Sequence, residues 1–320
     1  MSIIVGVDLG ATKIQTIATT RDASIVGRHR MASPATGGPA AIVAAICMSV
    51  RDTLRAAGAE LGDLQAIGIG APGQVDTTTG VVLQAVNLAG WDRPVPLAAL
   101  VRANLDVPIM LANDVQASVV GEYRAGAGRS ATSMLGIFCG TGVGGGLILE
   151  DRLWRGAGAA GEIGHTVVRR GGARCGCGRR GCLEAYAGRL AMEQRARRLH
   201  DAGRATVLFE VMEQQGRARL TSRVWADALA KGDAVAVALI DRATQAIGTA
   251  AGSAANLLDV DRIVVGGGLA TRLGKPFVQA IRAAAVPVAL RDDTAARIVL
   301  AELGDDGGAL GAALLAGSVS

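Results

Sequence analysis

Aromatic residues are scarce in this sequence, with three Phe, three Trp and two Tyr among 320 residues. Any core must therefore be built mainly from Ala, Val, Leu and Ile, which suits packed α/β layers. The net charge is +5, but the arginines are dispersed and no basic stretch is interleaved with aromatics that could stack bases, so nucleic acid is not expected as a partner. Lysine occurs only as Lys13, Lys231 and Lys275. Together with the abundance of Ala and Gly, this looks like genome base composition and points to no partner. Long apolar runs are missing too: no segment reaches the ~18 residues of a membrane span. The opening stretch, Met1 to Gly10, lacks a basic region followed by a long apolar one. A soluble, cytoplasmic protein without membrane association is expected.

Cysteine is sparse, odd in number and unevenly placed. Of five cysteines, Cys175, Cys177 and Cys182 fall close together, which fits a metal site in a reducing compartment better than a disulfide framework. Cys47 and Cys139 lie in apolar periodic segments and read as core. His29 and His200 have no ligand-spaced neighbours and are expected at the surface or in capping positions.

The chain is about twice the length of a typical domain, so two lobes are more natural than one core. Residues 3–7, 14–20 and 25–30 read as three strands of a meander, with a glycine turn at 8–13. Residues 39–57 show helical spacing of Ile42, Ile46, Val50 and Leu54. A strand at 66–70 leads into Ala71-Pro-Gly-Gln-Val-Asp76, a loop by its Pro and Gly. Residues 97–104 read as a helix, 109–112 as a strand and 115–124 as a helix. The second half repeats the opening pattern, with a strand at 133–139, a glycine turn at 140–146 and a resumed strand at 147–149. That repetition suggests a duplicated α/β unit holding a ligand between two glycine turns. Residues 156–188 are glycine-rich and irregular, helices follow at 190–202, 223–230 and 234–258, a strand at 262–265 ends in Gly266-Gly-Gly268, and a last apolar helix covers 309–317.

Several segments carry chemistry. Asp8-Leu-Gly-Ala-Thr-Lys13 offers main-chain N–H groups and the Thr12 hydroxyl to phosphate oxygens, with Asp8 able to orient a hydrated Mg²⁺. An ordinary hairpin turn explains the same residues. Gly140-Thr-Gly-Val-Gly-Gly-Gly146 matches a dinucleotide-binding pattern formally. It is followed by a strand rather than by the helix that pattern requires, so a glycine turn that admits a phosphate, with Thr141 as donor, is the better reading. A structural hairpin stays open. Gly266, Gly267 and Gly268 give a third place where a ligand such as a flat adenine can touch main chain, or else a plain strand-to-helix turn.

His165, Cys175, Cys177 and Cys182 supply one imidazole and three thiolates, the number and type that close a tetrahedral structural Zn²⁺ site. Glu162 and Glu184 flank these ligands. Folding the segment onto one ion places two carboxylates near it, a set suited to a polyhydroxyl ligand. Asp114 follows Asn113 at a strand end, where α/β proteins display reactive groups. It is a candidate general base for phosphoryl transfer, and the pair is equally a candidate helix N-cap.

Taken together, Asp8-Leu-Gly-Ala-Thr-Lys13, Ala71-Pro-Gly73, Asn113-Asp114, Gly140-Thr-Gly-Val-Gly-Gly-Gly146, Glu162-Ile-Gly-His165, Cys175-Gly-Cys177-Gly-Arg-Arg-Gly-Cys182-Leu-Glu184 and Gly266-Gly-Gly268 resemble the ROK family of bacterial sugar kinases and repressors. The matches span almost the whole chain in the family order, and the cysteine segment is the most specific. The resemblance implies two actin-like, ribonuclease-H-like α/β lobes with a ligand cleft between them. The expected division is an N-terminal lobe over 1–115, joined by the C-terminal helix at about 305–320, and a C-terminal lobe over 116–304. It implies ATP-dependent phosphorylation of a hexose, with glucose as the default and N-acetylmannosamine, N-acetylglucosamine or fructose as alternatives.

By position, the resemblance makes Asp114 the base and gives sugar contacts to Asn113, Glu162, His165 and Glu184, with Gly73 and Asn87 as further contacts. Asp8, Gly10, Thr12, Lys13, Gly140, Thr141, Gly142, Gly266, Gly267 and Gly268 are the nucleotide contacts, and Mg²⁺ accompanies ATP. Zn²⁺ on His165, Cys175, Cys177 and Cys182 is structural. Ala11 and Ala89 depart from the family pattern. Family members are often dimers or tetramers. A non-catalytic, sugar-responsive regulator is the rival from another class. The family's repressors carry a DNA-reading domain before the first glycine turn, whereas this chain reaches Asp8 after seven residues.

Overall fold

The computed structural model describes residues 1–85, 88 and 90–317. Asn87, expected to touch sugar, lies outside the described residues. The chain divides into two compact units, Met1–Arg129 with Asp305–Ser320, and Ser130–Gly304. Each has its own apolar cluster.

The first unit opens with β1 (Ile3–Leu9), β2 (Lys13–Thr19) and β3 (Ile25–Ala32), which pair antiparallel in succession. β1 is apolar at nearly every position because it runs through the middle of the sheet with both faces covered. α1 (Gly38–Ala56) turns Ile42, Ile46, Val50 and Leu54 inward, as their spacing predicts, and Cys47 is buried beside them. β4 (Leu64–Ala71) follows, then β5 (Gln74–Asp76) and β6 (Val81–Gln84), an antiparallel pair. The loop expected over 71–76 is therefore shorter. Strand pairing resumes directly after Pro72-Gly73, because Val75 and Asp76 find partners in β6. α2 (Leu97–Leu105), β7 (Ile109–Asn113) and α3 (Asp114–Ala125) complete this part. The five strands lie in the order β3-β2-β1-β4-β7, with β4 and β7 parallel to β1.

The second unit begins in the same way, with β8 (Met134–Cys139), β9 (Val143–Leu149) and β10 (Arg152–Trp154) as an antiparallel meander. β9 starts earlier than expected. Gly144, Gly145 and Gly146 pair with Phe138, Ile137 and Gly136, so the true turn is only residues 140–142. Their lack of side chains serves packing: a Cβ on Gly145 would lie 2.6 Å from Gly161 O. After the irregular segment come α4 (Glu184–Ala187), α5 (Arg189–Asp201), α6 (Leu208–Gln214), α7 (Ser222–Ala230) and the long α8 (Ala234–Leu258). β11 (Arg262–Gly266), α9 (Gly267–Ala285), α10 (Thr294–Arg297) and β12 (Ile298–Leu300) return to the sheet. Its order, β10-β9-β8-β11-β12, repeats that of the first unit, with β11 and β12 parallel to β8. Two units of one strand order are the actin-like, ribonuclease-H-like architecture.

α11 (Gly307–Gly317) packs in the first unit against β1, β4 and α3. Its sequence is apolar around its whole circumference, as expected of a helix buried on all sides. The approach is close enough to exclude side chains. A Cβ at Gly68 would sit 1.8 Å from Ala312 O, and one at Gly311 would sit 1.7 Å from Ala117 O. Because α3 packs directly on α11, the division between units falls after Arg129, beyond the expected residue 115. Among the described residues no helix is long and apolar enough to cross a membrane.

Candidate active site

In the first unit the turn between β1 and β2 is closed by Gly10 N donating to Lys13 O at 2.9 Å and braced by Ser33 Oγ, which donates to Gly10 O at 2.6 Å. Ala11 and Thr12 are exposed at its tip. Lys13 Nζ pairs with Asp305, at 2.7 Å, so the first turn is tied to the start of α11. Asp8 lies at the end of β1 against the same helix: a Cβ on Gly308 would be 2.8 Å from Asp8 Cγ. Burial pushes the Asp8 carboxyl up to about 6, with Lys13 opposing and Asp305 reinforcing the shift.

Asn113 and Asp114 divide the two readings of their dipeptide. Asn113 Oδ1 accepts hydrogen bonds from Val115 N at 3.0 Å and Gln116 N at 3.2 Å, so Asn113 is the N-cap of α3. Its Nδ2 donates to Gly73 O at 3.1 Å, which fixes the Pro72-Gly73 bend beside the end of β7. Gly73 has φ +84, and a Cβ there would meet Gln84 O at 2.0 Å, so no other residue fits. The Asp114 carboxyl accepts a hydrogen bond from Val115 N, at 2.9 Å. Burial, and next the Asp8 charge, push it up to about 7. Asp8, at the end of β1, and Asp114, just past the end of β7 with β4 between the two strands, are thus two partly buried acids whose carboxyls are both pushed towards neutral pH.

In the second unit the turn at 140–142 is closed by Gly140 N donating to Gly142 O at 2.9 Å, with Thr141 exposed. It is held from outside. Arg189 N donates to Gly140 O at 3.2 Å, Leu190 N donates to Thr141 O at 3.0 Å, and Val143 N donates to Glu184 Oε2 at 3.0 Å. Gly142 must be glycine for that last bond, since a Cβ would lie 2.2 Å from Glu184 Oε2. Gly266, Gly267 and Gly268 stand at the passage from β11 into α9, and the first two abut β8 just before the turn. A Cβ on Gly266 would strike the Phe138 ring at 2.5 Å, and one on Gly267 would lie 2.5 Å from Cys139 O. Gly268 is exposed. Gly266 and Gly267 therefore seat the end of β11 on the end of β8, which leads into the turn at 140–142, and Gly268 is left open.

The histidine and the three cysteines converge. One ligand atom from each of His165, Cys175, Cys177 and Cys182 lies within 4.8 Å of the others. Cys177 and Cys182 Sγ are 3.8 Å apart, and His165 Nδ1 is 3.9 Å from Cys175 Sγ. A tetrahedral zinc with Zn–S bonds of about 2.3 Å separates its sulfurs by roughly 3.8 Å, so both the donor set and the spacing fit that ion. Hydrogen bonding from Arg179 main chain holds the Cys177 thiol down to about 6, whereas burial pushes Cys175 up to about 12. His165 approaches the sulfurs through Nδ1 and keeps Nε2 for another partner. Cys175 Sγ also stands 3.6 Å from Glu184 Oε1, so Glu184 spans from the histidine–cysteine cluster to the glycine turn. Glu162 is exposed at the start of a short 3-10 turn, Ile163–His165, and Gly164 is pressed against Val143 O.

Sequence reasoning missed Asp305, Ser33 and Arg189. Asp305 precedes an apolar helix with no signature of its own, and Arg189 is one arginine among many. Cys139 is fully buried, as expected, with its thiol pushed up to about 12 by burial. His29 bonds Ser49 Oγ at 3.0 Å, and His200 packs on Phe209. A cavity of ≈ 430 Å³ in the second unit, lined by residues including Arg197, His200 and Phe209, lies at the far end of α5 from the glycine turn.

Comparison with known proteins adds to this geometry. The chain is 35% identical over 312 residues to a glucokinase of Halalkalibacterium halodurans, covering 96% of this chain and 92% of that protein. It is 33% identical over 322 residues to a glucokinase of Streptomyces coelicolor, covering 99% and 98%. A ROK family glucokinase of Streptomyces griseus, solved in complex with glucose and AMPPNP, superposes with a TM-score of 0.81 at 32% identity, covering 98% of this chain and 99% of that one. The ROK family model matches residues 4–319. With a matching fold, the same motifs in the same order and a match across nearly its whole length, the chain belongs to the ROK family.

Proposed function

We propose that this protein is an ATP-dependent hexose kinase that converts glucose to glucose 6-phosphate, with Asp114 as the general base. The carrying observation is the Asp114 carboxyl: partly buried, without a cationic partner among the described residues, and raised to about 7 by burial and Asp8. A base poised near the working pH can accept the proton of a sugar hydroxyl as that oxygen forms its bond to the γ-phosphorus. The bond from that phosphorus to the bridging oxygen then breaks, and ADP leaves.

The other residues fit supporting parts. Exposed Thr12 and the main chain at 10–13, with Thr141 and the glycines at 140–142 and 266–268, suit a nucleotide polyphosphate and a flat base. Asp8 suits the hydrated Mg²⁺ that travels with ATP and neutralises phosphate charge. Asn113, Glu162, His165 Nε2 and Glu184 offer the acceptors and donors a sugar requires, with Gly73 and Asn87 as further contacts. Zn²⁺ on His165, Cys175, Cys177 and Cys182 would hold that segment in place and take no part in the reaction. The reading includes a cytoplasmic homo-oligomer, dimer or tetramer, with sugar and ATP as its ligands and no nucleic acid. Five free cysteines suit that reducing compartment.

A coupled ADP-release assay with MgATP over glucose, N-acetylmannosamine, N-acetylglucosamine and fructose tests the reading. Glucose is expected to give the highest kcat/KM. Absence of sugar-dependent ADP release from zinc-replete protein would overturn it.

A further inference from the structure

Arg189 is the first residue of α5, partly buried beside the turn at 140–142. Its Nε donates to Gly140 O at 3.1 Å. Gly140 O already accepts from Arg189 N, at 3.2 Å. Holding the turn therefore does not require the charged side chain. A guanidinium has five N–H donors, and the bond to Gly140 uses one.

Among the described residues Arg189 forms no ion pair. The nearest acid along its helix is committed elsewhere. Glu193 Oε1 receives Arg197 Nη2 at 2.8 Å and Nε at 3.2 Å, and Glu193 Oε2 receives Leu220 N at 3.0 Å. Burial accordingly lowers the Arg189 pKa, with Glu193 opposing only through its charge. A partly buried guanidinium without an acid is costly unless an anion comes to it, and its fork matches phosphate oxygens. The adjacent turn presents exposed Thr141 beside it.

We propose that Arg189 is a phosphate-binding residue of the nucleotide site, its free guanidinium nitrogens taking an oxygen of the polyphosphate held at the turn of residues 140–142. This rests on the reading that the turn binds ATP and adds the charge that the glycine motif lacks. The chemical class recognised is a nucleoside polyphosphate, so adenosine should be indifferent to Arg189.

The test is calorimetric titration of zinc-replete wild type, Arg189→Gln and Arg189→Lys with MgATP, adenosine and glucose at two salt concentrations. Gln keeps an N–H for Gly140 O and removes the charge. Arg189→Gln is expected to weaken MgATP about 10- to 100-fold, the worth of one or two charge-assisted hydrogen bonds. The salt dependence of MgATP binding should fall with it, while adenosine and glucose affinities stay within twofold. Arg189→Lys should fall between, since it retains charge without the fork. MgATP affinity unchanged in Arg189→Gln, or equal losses for MgATP and adenosine, would overturn the proposal, the latter marking a merely structural brace. A wild type that binds glucose but no MgATP would instead remove the nucleotide reading of the turn, and this proposal with it.

Discussion

At the scale of single residues, the proposed chemistry rests on how Asn113 and Asp114 share one dipeptide. Asn113 spends its side chain on the α3 N-cap and the Gly73 carbonyl, which leaves Asp114 available as base. Both readings were legible in the sequence as alternatives, but only the fold could divide them between adjacent residues. Activity needs Asp114 ionised, so kcat/KM should rise with pH along a limb centred near 7 in the free enzyme. Asp8→Asn removes the neighbouring charge that raises Asp114 and should move that limb to lower pH, measured from the pH profile of kcat/KM. Stability moves in the opposite sense. Asp114 rises from 3.8 to about 7 on folding, so the native state binds more protons between those values and stability declines as pH rises through that window. Asp114→Asn should therefore raise the melting temperature at pH 8 by roughly 3–6 °C, with little gain near pH 4, read by thermal denaturation at both values.

At the scale of elements, the segment carrying His165 and the three cysteines touches β9 through one carboxylate and one close main-chain approach. Glu184 joins Cys175 to Val143 N, and Gly164 abuts Val143 O, so the start of β9 is gripped from both sides. Cys177→Ser should lower zinc content from one ion per chain towards none and weaken glucose binding about tenfold or more, checked by elemental analysis and calorimetry on the same preparation. The cysteine spacing made the convergence of the four side chains legible, because glycines at 176, 178 and 181 mark a chain that wraps tightly. The length of the second turn was not legible, since Gly144, Gly145 and Gly146 carry no side-chain alternation and their strand identity comes from pairing with β8. The short β5, β6 and β12 were likewise hidden. Strands of three or four residues are defined by partners rather than by pattern.

At the scale of the whole molecule, duplication was the legible feature. Two strand–glycine turn–strand openings predicted two similar α/β units, and both sheets share one strand order. The apolar helix at the C-terminus was legible as a part of the first lobe, but its closeness to β1 and β4 was not. The need for glycine at position 68 depends on Ala312, a carbonyl 244 positions later in the chain. On the proposed function, the fold presents to a hexose hydroxyl a carboxyl at Asp114 raised to about 7. The most direct measurement compares wild type with Asp114→Asn for glucose-dependent ADP release and for glucose affinity, under saturating MgATP and at matched zinc content. The account predicts turnover reduced by about 10³-fold or more, with glucose affinity within a few-fold of wild type. Turnover preserved in Asp114→Asn would contradict it.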